Sequence, residues 1–454
     1  MTTKIPRLVI AAPGSGCGKT IVTLALAAAF KRTHTDVVTY KVGPDYIDPM
    51  FHAEVFGRRG FNLDLYLGGE EQVKSLFART SQGHNIALTE GVMGLYDGLG
   101  GVSTKCSTWD TARAIKSPTL LVLDCRQMSV SSAAAAAGFA SYKKDALQGF
   151  ILNGAPAEAV SQLKKRIEKA TGLPVLGHLP YMPEASFESR HLGLLAPSEI
   201  DSIQRSIVSL GQAFFLCSDM PRILELAASA PELTAQDPDV PRLKRPVRIA
   251  WAHDEAFSFF YRSTLDLLED MHCELVPFSP MKDRKLPDNC GGLLLGGGYA
   301  ELHAQELSEN VSMREAIADA VRRRMPTIAE SGGFLYLHEK LADPDGTPYP
   351  MAGILAGTAE RGAPLSKFGY VKMTAQKTGM LHPMGATFHA HSIHYWTSPN
   401  PGDDFVAEKP KRKDRFRTGH ATASLYAAFP HLFLAGHPDA AWRFVNAASQ
   451  FVNR

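Results

Sequence analysis

The sequence predicts an α/β protein of two domains, each built on a mostly parallel sheet. Three observations carry this. Short apolar runs alternate with helix-length stretches through the first half. The same rhythm restarts at Pro246. Between the two lies Ala227–Pro246, rich in proline and charge and poor in apolar periodicity, as a linker should be. Strands alternating with helices imply βαβ units and a sheet covered on both faces.

Taken in order, Leu8–Ala12 reads as a strand and Ile21–Lys31 as a helix. Val37–Val42, Ile86–Thr89, Thr119–Asp124 and Gly149–Asn153 are further strands, separated by helical stretches at Thr108–Ile115 and Ser129–Ala140. The low-complexity run SVSSAAAAA, Ser129–Ala137, reads as a close-packed helix. In the second half, Val247–Ala252 is a strand, Ser263–Met271 a helix and Gly292–Leu295 a strand ending in Gly296-Gly297-Gly298. Glu315–Arg324 is a helix, and Pro326–Ala329 a strand ending at Glu330-Ser331-Gly332-Gly333. The expected domains are residues 1–226 and 247–454, joined by 227–246.

Composition narrows the class. At 45% hydrophobic and 21% charged residues, the chain is neither disordered nor fibrous. Lys and Arg number 48 against 46 Asp and Glu, a net charge of +2, which gives no electrostatic case for nucleic acid or an anionic membrane. No apolar run reaches the roughly 18 residues of a membrane span. Leu8–Ala12 is too short for a signal-peptide core. Six scattered cysteines, Cys17, Cys106, Cys125, Cys217, Cys273 and Cys290, contain no CxxC pair and read as reduced thiols of a cytoplasmic protein.

Residues Pro13 to Thr20 read PGSGCGKT, a phosphate-loop ending with proline where the usual pattern has its first glycine. The segment follows a strand and opens a helix, as that chemistry requires. Backbone N–H groups of Gly14, Ser15, Gly16, Cys17 and Gly18 would cradle ATP phosphates. Lys19 would reach the β- and γ-phosphates and Thr20 would ligate Mg²⁺. Acids follow later strands: Asp45 and Asp48 in KVGPDYIDP, Glu90 and Asp97 in EGVMGLYDG. In a parallel sheet the strand C-termini share one edge with the loop, so these acids can converge on the γ-phosphate, and Asp45, Asp48 and Glu90 can hold Mg²⁺ and orient the co-substrate. Turn and cap chemistry is the plainer account of any single one.

The strings GSGCGKT, KVGPDYIDPMFH, FNLDLY, EGVMGLYDG, RHLGL, DEAFSF and LGGGYAELH, in this order and spacing, resemble the cobyrinate a,c-diamide synthase family over nearly the whole chain. The resemblance implies a P-loop amide synthetase domain of the dethiobiotin-synthetase type followed by a class I glutaminase domain. It implies ATP- and Mg²⁺-dependent amidation of the a and c acetate carboxylates of a corrin precursor through acyl phosphates. Related enzymes act on siroheme, nickel-sirohydrochlorin or hydrogenobyrinate, and the sequence does not choose among them. By this resemblance Lys19 and Thr20 fall on ATP and Mg²⁺ positions. Asp45, Asp48 and Glu90 fall on acids that organise metal and substrate carboxylate, with Mg²⁺ at Thr20, Asp48 and Glu90. Asn153 falls where the nucleotide base is read; a strand-end turn former is the alternative.

In the second half the resemblance places a nucleophile at residue 331, its base at His431 and an oxyanion loop at Gly296-Gly297-Gly298-Tyr299. Position 331 holds serine, where the family has cysteine. A thiol is partly ionised near neutral pH and a hydroxyl is not, so glutamine hydrolysis is expected to be severely impaired and ammonia to come from solution or another protein. Other strings drift here too, such as Met384–His391 and Phe429–Phe433, which favours a natural, relaxed glutaminase over an engineered change. A non-catalytic nucleotide- or tetrapyrrole-binding relative is the rival reading. His389 and His391 share one strand face without an acid or cysteine nearby, so a solvated or ligand-facing strand is expected rather than a metal site. The basic run Lys409–Arg417 reads as a solvated loop. The expected partners are a tetrapyrrole polycarboxylate and glutamine or free ammonia; a homodimer is left open.

Overall fold

Seven parallel strands in one sheet organise the first unit, Met1–Pro238, of a computed structural model. The structure describes residues 1–57, 60–126, 128–183, 189–190, 193–194, 203–236, 238–362 and 368–453. Of the RHLGL string, residues 191 and 192 lie outside that set.

The strand order is Phe61–Leu63, Val37–Val42, Ile86–Glu90, Arg7–Ala11, Thr119–Asp124, Gly149–Asn153 and Val175–Leu179. Nearly every residue of these strands is buried, as a parallel sheet covered on both faces requires. Helix Lys19–Arg32 packs on helix Ile203–Leu216 across one face, over Leu8, Ile10, Leu26 and Phe214. Leu121, Leu123, Phe150 and Leu152 on the other face pack with Leu163 and Ile167 of helix Ala157–Thr171. The central strand, Arg7–Ala11, lies where the strand order reverses, and such switch points open a crevice at the strand C-termini.

Two features differ from expectation. Residues 227–236, assigned from sequence to the linker, belong to the first unit. Leu233–Thr234 pairs antiparallel with Thr2–Thr3, Met1 and Ala235 exchange backbone hydrogen bonds of 2.7 and 2.9 Å, and Leu233 is buried. The pairing spans more than 230 residues, so local periodicity carries no sign of it. The alanine-rich helix runs Ser131–Tyr142, and only Ser132, Ala133 and Ala136 are fully buried. It is close-packed on one side alone.

Arg7 sits in the middle of this unit with no exposure. Its guanidinium donates to the carbonyls of Ile5 (3.1 Å), Ile115 (2.8 Å), Lys116 (3.2 Å) and Pro231. A buried cation is tolerated because its donors are occupied.

The second unit, Asp239–Arg454, has a six-stranded sheet of order Cys273–Phe278, Val247–Ala252, Cys290–Leu295, Thr327–Glu330, Leu425–Ala428 and His420–Ala421. The first five strands are parallel and the last antiparallel. Helices Arg262–Asp270 and Pro438–Val452 cover one face and Val311–Arg322 the other. Helix Val311–Arg322 begins four residues before the sequence reading places it, because Asn310 caps it through Met313 N (3.4 Å). Between residues 338 and 432 the chain adds two further sheets, of four and five strands. The sequence reading passes over them, since many of these strands are two to four residues long and show no sustained alternation.

Arg7→Met leaves four carbonyls, two of them in buried hydrogen bonds, without this donor and is expected to destabilise the chain by about 3 kcal/mol. Urea unfolding followed by circular dichroism checks this; an unchanged midpoint would show that the hub contributes nothing.

Candidate active site

The phosphate loop leaves the central strand at Ala12 and enters helix Lys19–Arg32. Ser15 and Gly16 are exposed at its outer turn. Gly18 has φ 89° at the helix N-cap, and a Cβ there would lie 2.1 Å from Asn153 Nδ2. Only glycine meets both demands. Asn153 Nδ2 also donates to Cys17 O at 3.3 Å. In this arrangement Asn153 braces the loop from the end of a strand two places along the sheet. The Lys19 ammonium is held by Gly14 O (2.8 Å) and Met93 O (2.6 Å). Burial, with the nearby Lys41 charge, lowers its pKa from the usual lysine value.

Behind the loop lies a buried charge cluster centred on Glu90. Glu90 Oε1 accepts from Thr20 Oγ1 (2.6 Å) and from Lys41 Nζ (2.8 Å), and Glu90 Oε2 is 2.9 Å from His52 Nε2. Lys41 also donates to Gly91 O at 3.1 Å and pairs with Asp48. Lys41, His52, Asp48 and Glu90 are all buried. Burial alone would lower Lys41, but Asp48 and Glu90 outweigh it and hold the ammonium above its ordinary value. Burial would likewise raise Glu90, but Lys41 and His52 hold its carboxyl below the usual range. Asp48 is pushed up by burial first, then by Asp45 and Glu90.

Thr20, Asp48 and Glu90 are therefore brought together, with Asp48 joined to the others through Lys41. Asp45 takes a different place. Its Oδ1 accepts from Ile47 N (2.9 Å) and Asp48 N (3.2 Å), capping the helix Ile47–Phe56 that carries Asp48 and His52. Asp97 Oδ2 accepts from Gly94 N (2.9 Å) and fixes its own turn. Lys41 and His52 were missed as site residues although both lie inside KVGPDYIDPMFH; a lysine in an apolar strand, four residues before one acid and seven before another, was the available signal. Among the described residues no three of His, Cys, Asp and Glu gather as a metal cage. The oxygen donors at Thr20 and Glu90 nonetheless fit Mg²⁺, a hard cation that usually takes one or two carboxylates and completes its shell with phosphate and water.

In the second unit, strand Thr327–Glu330 turns sharply at Ser331, which has φ 48° and ψ −106°, into helix Gly332–Tyr336. Positive φ at a side-chain-bearing residue is strained and is maintained by Ser331 N donating to Ala428 O (2.9 Å). The glycine loop abuts this elbow: Gly333 N donates to Gly296 O at 2.8 Å. A Cβ at Gly297 would lie 2.4 Å from His431 Cε1, so that glycine admits the imidazole. Glu330 Oε2 is 3.6 Å from His431 Nδ1, and Glu330 Oε1 accepts from Leu432 N (2.8 Å). His431 faces His391 in the antiparallel register of strand Thr387–Ser392. His391 is lowered to about 3 by burial, with His431 and Lys409 adding; His437 is lowered to about 4 by burial and His389. The run Lys409–Arg417 forms a hairpin, and Lys409 itself is buried against Phe368 O.

These parts define a class: a P-loop ligase that forms amide bonds, joined to a glutamine amidotransferase-like unit. Residues 8–194 match the CobQ/CobB/MinD/ParA nucleotide binding domain, and residues 248–438 the CobB/CobQ-like glutamine amidotransferase domain. The chain belongs to the cobyrinate a,c-diamide synthase family. It is 34% identical over 446 residues to the cobyrinate a,c-diamide synthase of Caldanaerobacter subterraneus subsp. tengcongensis, covering 97% of this chain and 98% of that one. It is 37% identical over 449 residues to that of a Synechococcus species, covering 98% of each. It is 37% identical over 456 residues to that of Thermoplasma volcanium, covering 99% of this chain and 98% of that one. No helix among the described residues is long and apolar enough to cross a membrane.

Glu90→Gln removes the charge that Lys41 and His52 face. Stability is expected to fall by about 3 kcal/mol and ATP turnover by roughly 10²-fold or more. Turnover within about threefold of the unaltered protein, in a Michaelis–Menten assay, would remove Glu90 from the nucleotide chemistry.

His391 binds its proton more weakly when folded than unfolded. Its contribution is fully present above about pH 6.5 and is lost as pH falls toward 3, with His437 acting in the same direction. From pH 6.5 to 5 His391 alone should cost roughly 2 kcal/mol. Urea midpoints across this range in His391→Gln should show a shallower pH slope; an identical slope would assign the loss elsewhere.

Proposed function

We propose that this chain amidates the a and c acetate carboxylates of cobyrinic acid, using ATP and Mg²⁺, with nitrogen from free ammonia rather than glutamine. The observation that carries this is the full set of charged groups around Glu90, beside the phosphate loop, in a chain that matches these synthases over 97–99% of its length.

A carboxylate resists ammonia because oxide is a poor leaving group. Transfer of the ATP γ-phosphoryl group to a carboxylate oxygen forms a new P–O bond, breaks the bond to the β-phosphate oxygen and releases ADP. Ammonia then attacks the acyl carbon, loses a proton and expels phosphate, leaving the amide. The sequence runs twice, once per carboxylate. Lys19 would turn from Gly14 O and Met93 O to the β- and γ-phosphate oxygens. Thr20 and Glu90 would hold Mg²⁺, with Asp48 completing the acidic side of the site. The metal, when bound, offsets charge on the transferring group. Lys41 and His52 keep the Glu90 carboxylate ionised and aimed, and Asp45 positions the helix that carries Asp48 and His52. Asn153 stands at the loop's flank, where it would also read the base.

In the second unit a relaxed glutaminase follows from one atom. The positive-φ turn at Ser331, between a strand and a helix, has the backbone of a nucleophile elbow, but an alcohol lacks the thiol's ionisation.

With cobyrinic acid, ATP and Mg²⁺, product is expected with ammonium and little or none with glutamine. Ser331→Cys should introduce glutamine-dependent product while leaving the ammonium rate intact. Equal rates from the two nitrogen sources in the unaltered chain would overturn the assignment of ammonia. Absence of product from either would redirect the reading to siroheme, nickel-sirohydrochlorin and hydrogenobyrinate, tested in the same assay.

A further inference from the structure

Activating a carboxylate on a large macrocycle requires room for the ring beside the phosphate loop. The turn after strand Ile86–Glu90 is strapped to that loop: Leu95 N donates to Ala12 O (2.9 Å) and Lys19 donates to Met93 O. Where the turn continues through Tyr96 and Asp97, a cavity of about 780 Å³ opens between it, residues 101–104 and helix Ser131–Tyr142.

One wall is aromatic. Tyr96 stacks on Phe139 with centroids 5.6 Å apart and planes 10° from parallel, and Tyr142 lies 4.8 Å from Tyr96. Tyr96 Oη donates to Phe139 O (2.7 Å), which fixes the ring. Tyr142 is 63% exposed, so much of its face is available. The floor is the solvent side of the alanine-rich helix, including Ala135 and Gly138. A Cβ at Gly138 would meet nothing within 4 Å, so neither packing nor φ demands glycine in this helix, where it weakens the backbone. What the absent side chain provides is flat open space. At the rim, Lys143 Nζ lies 5.2 Å from the Trp109 ring and 5.7 Å from the Tyr142 ring, which leaves a cation beside an aromatic face.

We propose that this cavity seats the macrocycle: a flat ring with apolar faces and peripheral carboxylates. The ring lies over Gly138 and against Phe139 and Tyr142, Lys143 pairs with one carboxylate, and an acetate arm extends past Asp97 to the phosphate loop. This rests on the proposed amidation and names where its substrate binds. The volume falls in the usual range for ligand sites of about 300–1,000 Å³. The other occupant of such a partly exposed aromatic face is a second copy of the chain.

The test uses the whole chain with Gly138→Trp, whose Cβ has open space and whose ring would fill the floor, and Lys143→Glu, with Lys143→Arg as the charge-retaining control. Both disruptive variants are expected to raise the KM for cobyrinic acid at least about tenfold, with the KM for ATP unchanged and Lys143→Arg close to the unaltered chain. Equilibrium binding of cobyrinic acid without ATP, read from the corrin absorption band, should weaken in parallel. Amidation by the unaltered chain with unchanged KM in both variants would overturn the cavity and leave the reaction standing. Absence of amidation together with cobyrinic acid binding that Gly138→Trp abolishes would overturn the reaction and support the cavity. A change in sedimentation mass in Gly138→Trp without a change in KM would assign the face to self-association and overturn the proposal.

Discussion

One ammonium holds the first site together. Lys41 lies in a fully buried strand and faces two carboxylates, Asp48 and Glu90, with the Lys19 ammonium also within electrostatic reach of both. Removing any member leaves a charge in a medium that cannot solvate it, which costs more than the pair contributes by being present. That asymmetry makes the cluster all-or-none, and the surrounding geometry follows from it. Glu90 is fixed, so Thr20 has a fixed acceptor, and the first turn of the phosphate-loop helix is registered against strand Ile86–Glu90. Asp48 is fixed, so the helix capped by Asp45 is registered against strand Val37–Val42. Asp48, raised by its burial and then by Asp45 and Glu90, is an acid suited to receiving a cation with the nucleotide.

The second site shows a different kind of constraint. Ser331 keeps a positive φ that costs of order 1–3 kcal/mol, and the neighbouring glycine loop and His431 retain the close approaches that such an elbow needs. Shape is maintained while the reactive atom differs. The elbow also connects the strand Thr327–Glu330 to Leu425–Ala428 through Ser331 N and Ala428 O, so its backbone has a structural task independent of catalysis.

The central strands of both parallel sheets were legible in the sequence, because a strand buried on both faces must be a continuous apolar run and a phosphate loop has few ways to be written; Phe61–Leu63, Val175–Leu179, Cys273–Phe278 and Leu425–Ala428 were not. The acids at 45, 48 and 90 were legible as a set, but their division of labour was not. Asp45 spends its side chain on backbone N–H groups, which only the path of the chain after residue 44 decides. Lys41 and His52 lie inside KVGPDYIDPMFH, but a lysine in a strand reads as surface until its two partners are placed. The sheets between residues 338 and 432 were illegible for another reason: many of their strands are only two to four residues long, and their pairing is decided by distant neighbours such as Ala390 with Leu432.

The antiparallel pair formed by Thr2–Thr3 and Leu233–Thr234, with Arg7 gripping Pro231 O, ties the first residues of the chain to the last of its unit. During synthesis Thr2–Thr3 leaves the ribosome before Leu233–Thr234 and must wait for its partner. At about 5–20 residues per second, roughly 10–50 s pass before residue 235 is made. Throughout that interval the phosphate-loop strand carries a buried-type arginine with an unfilled acceptor set. The nascent first unit therefore becomes complete only as translation reaches the second, and a pause near the boundary would give it time to close.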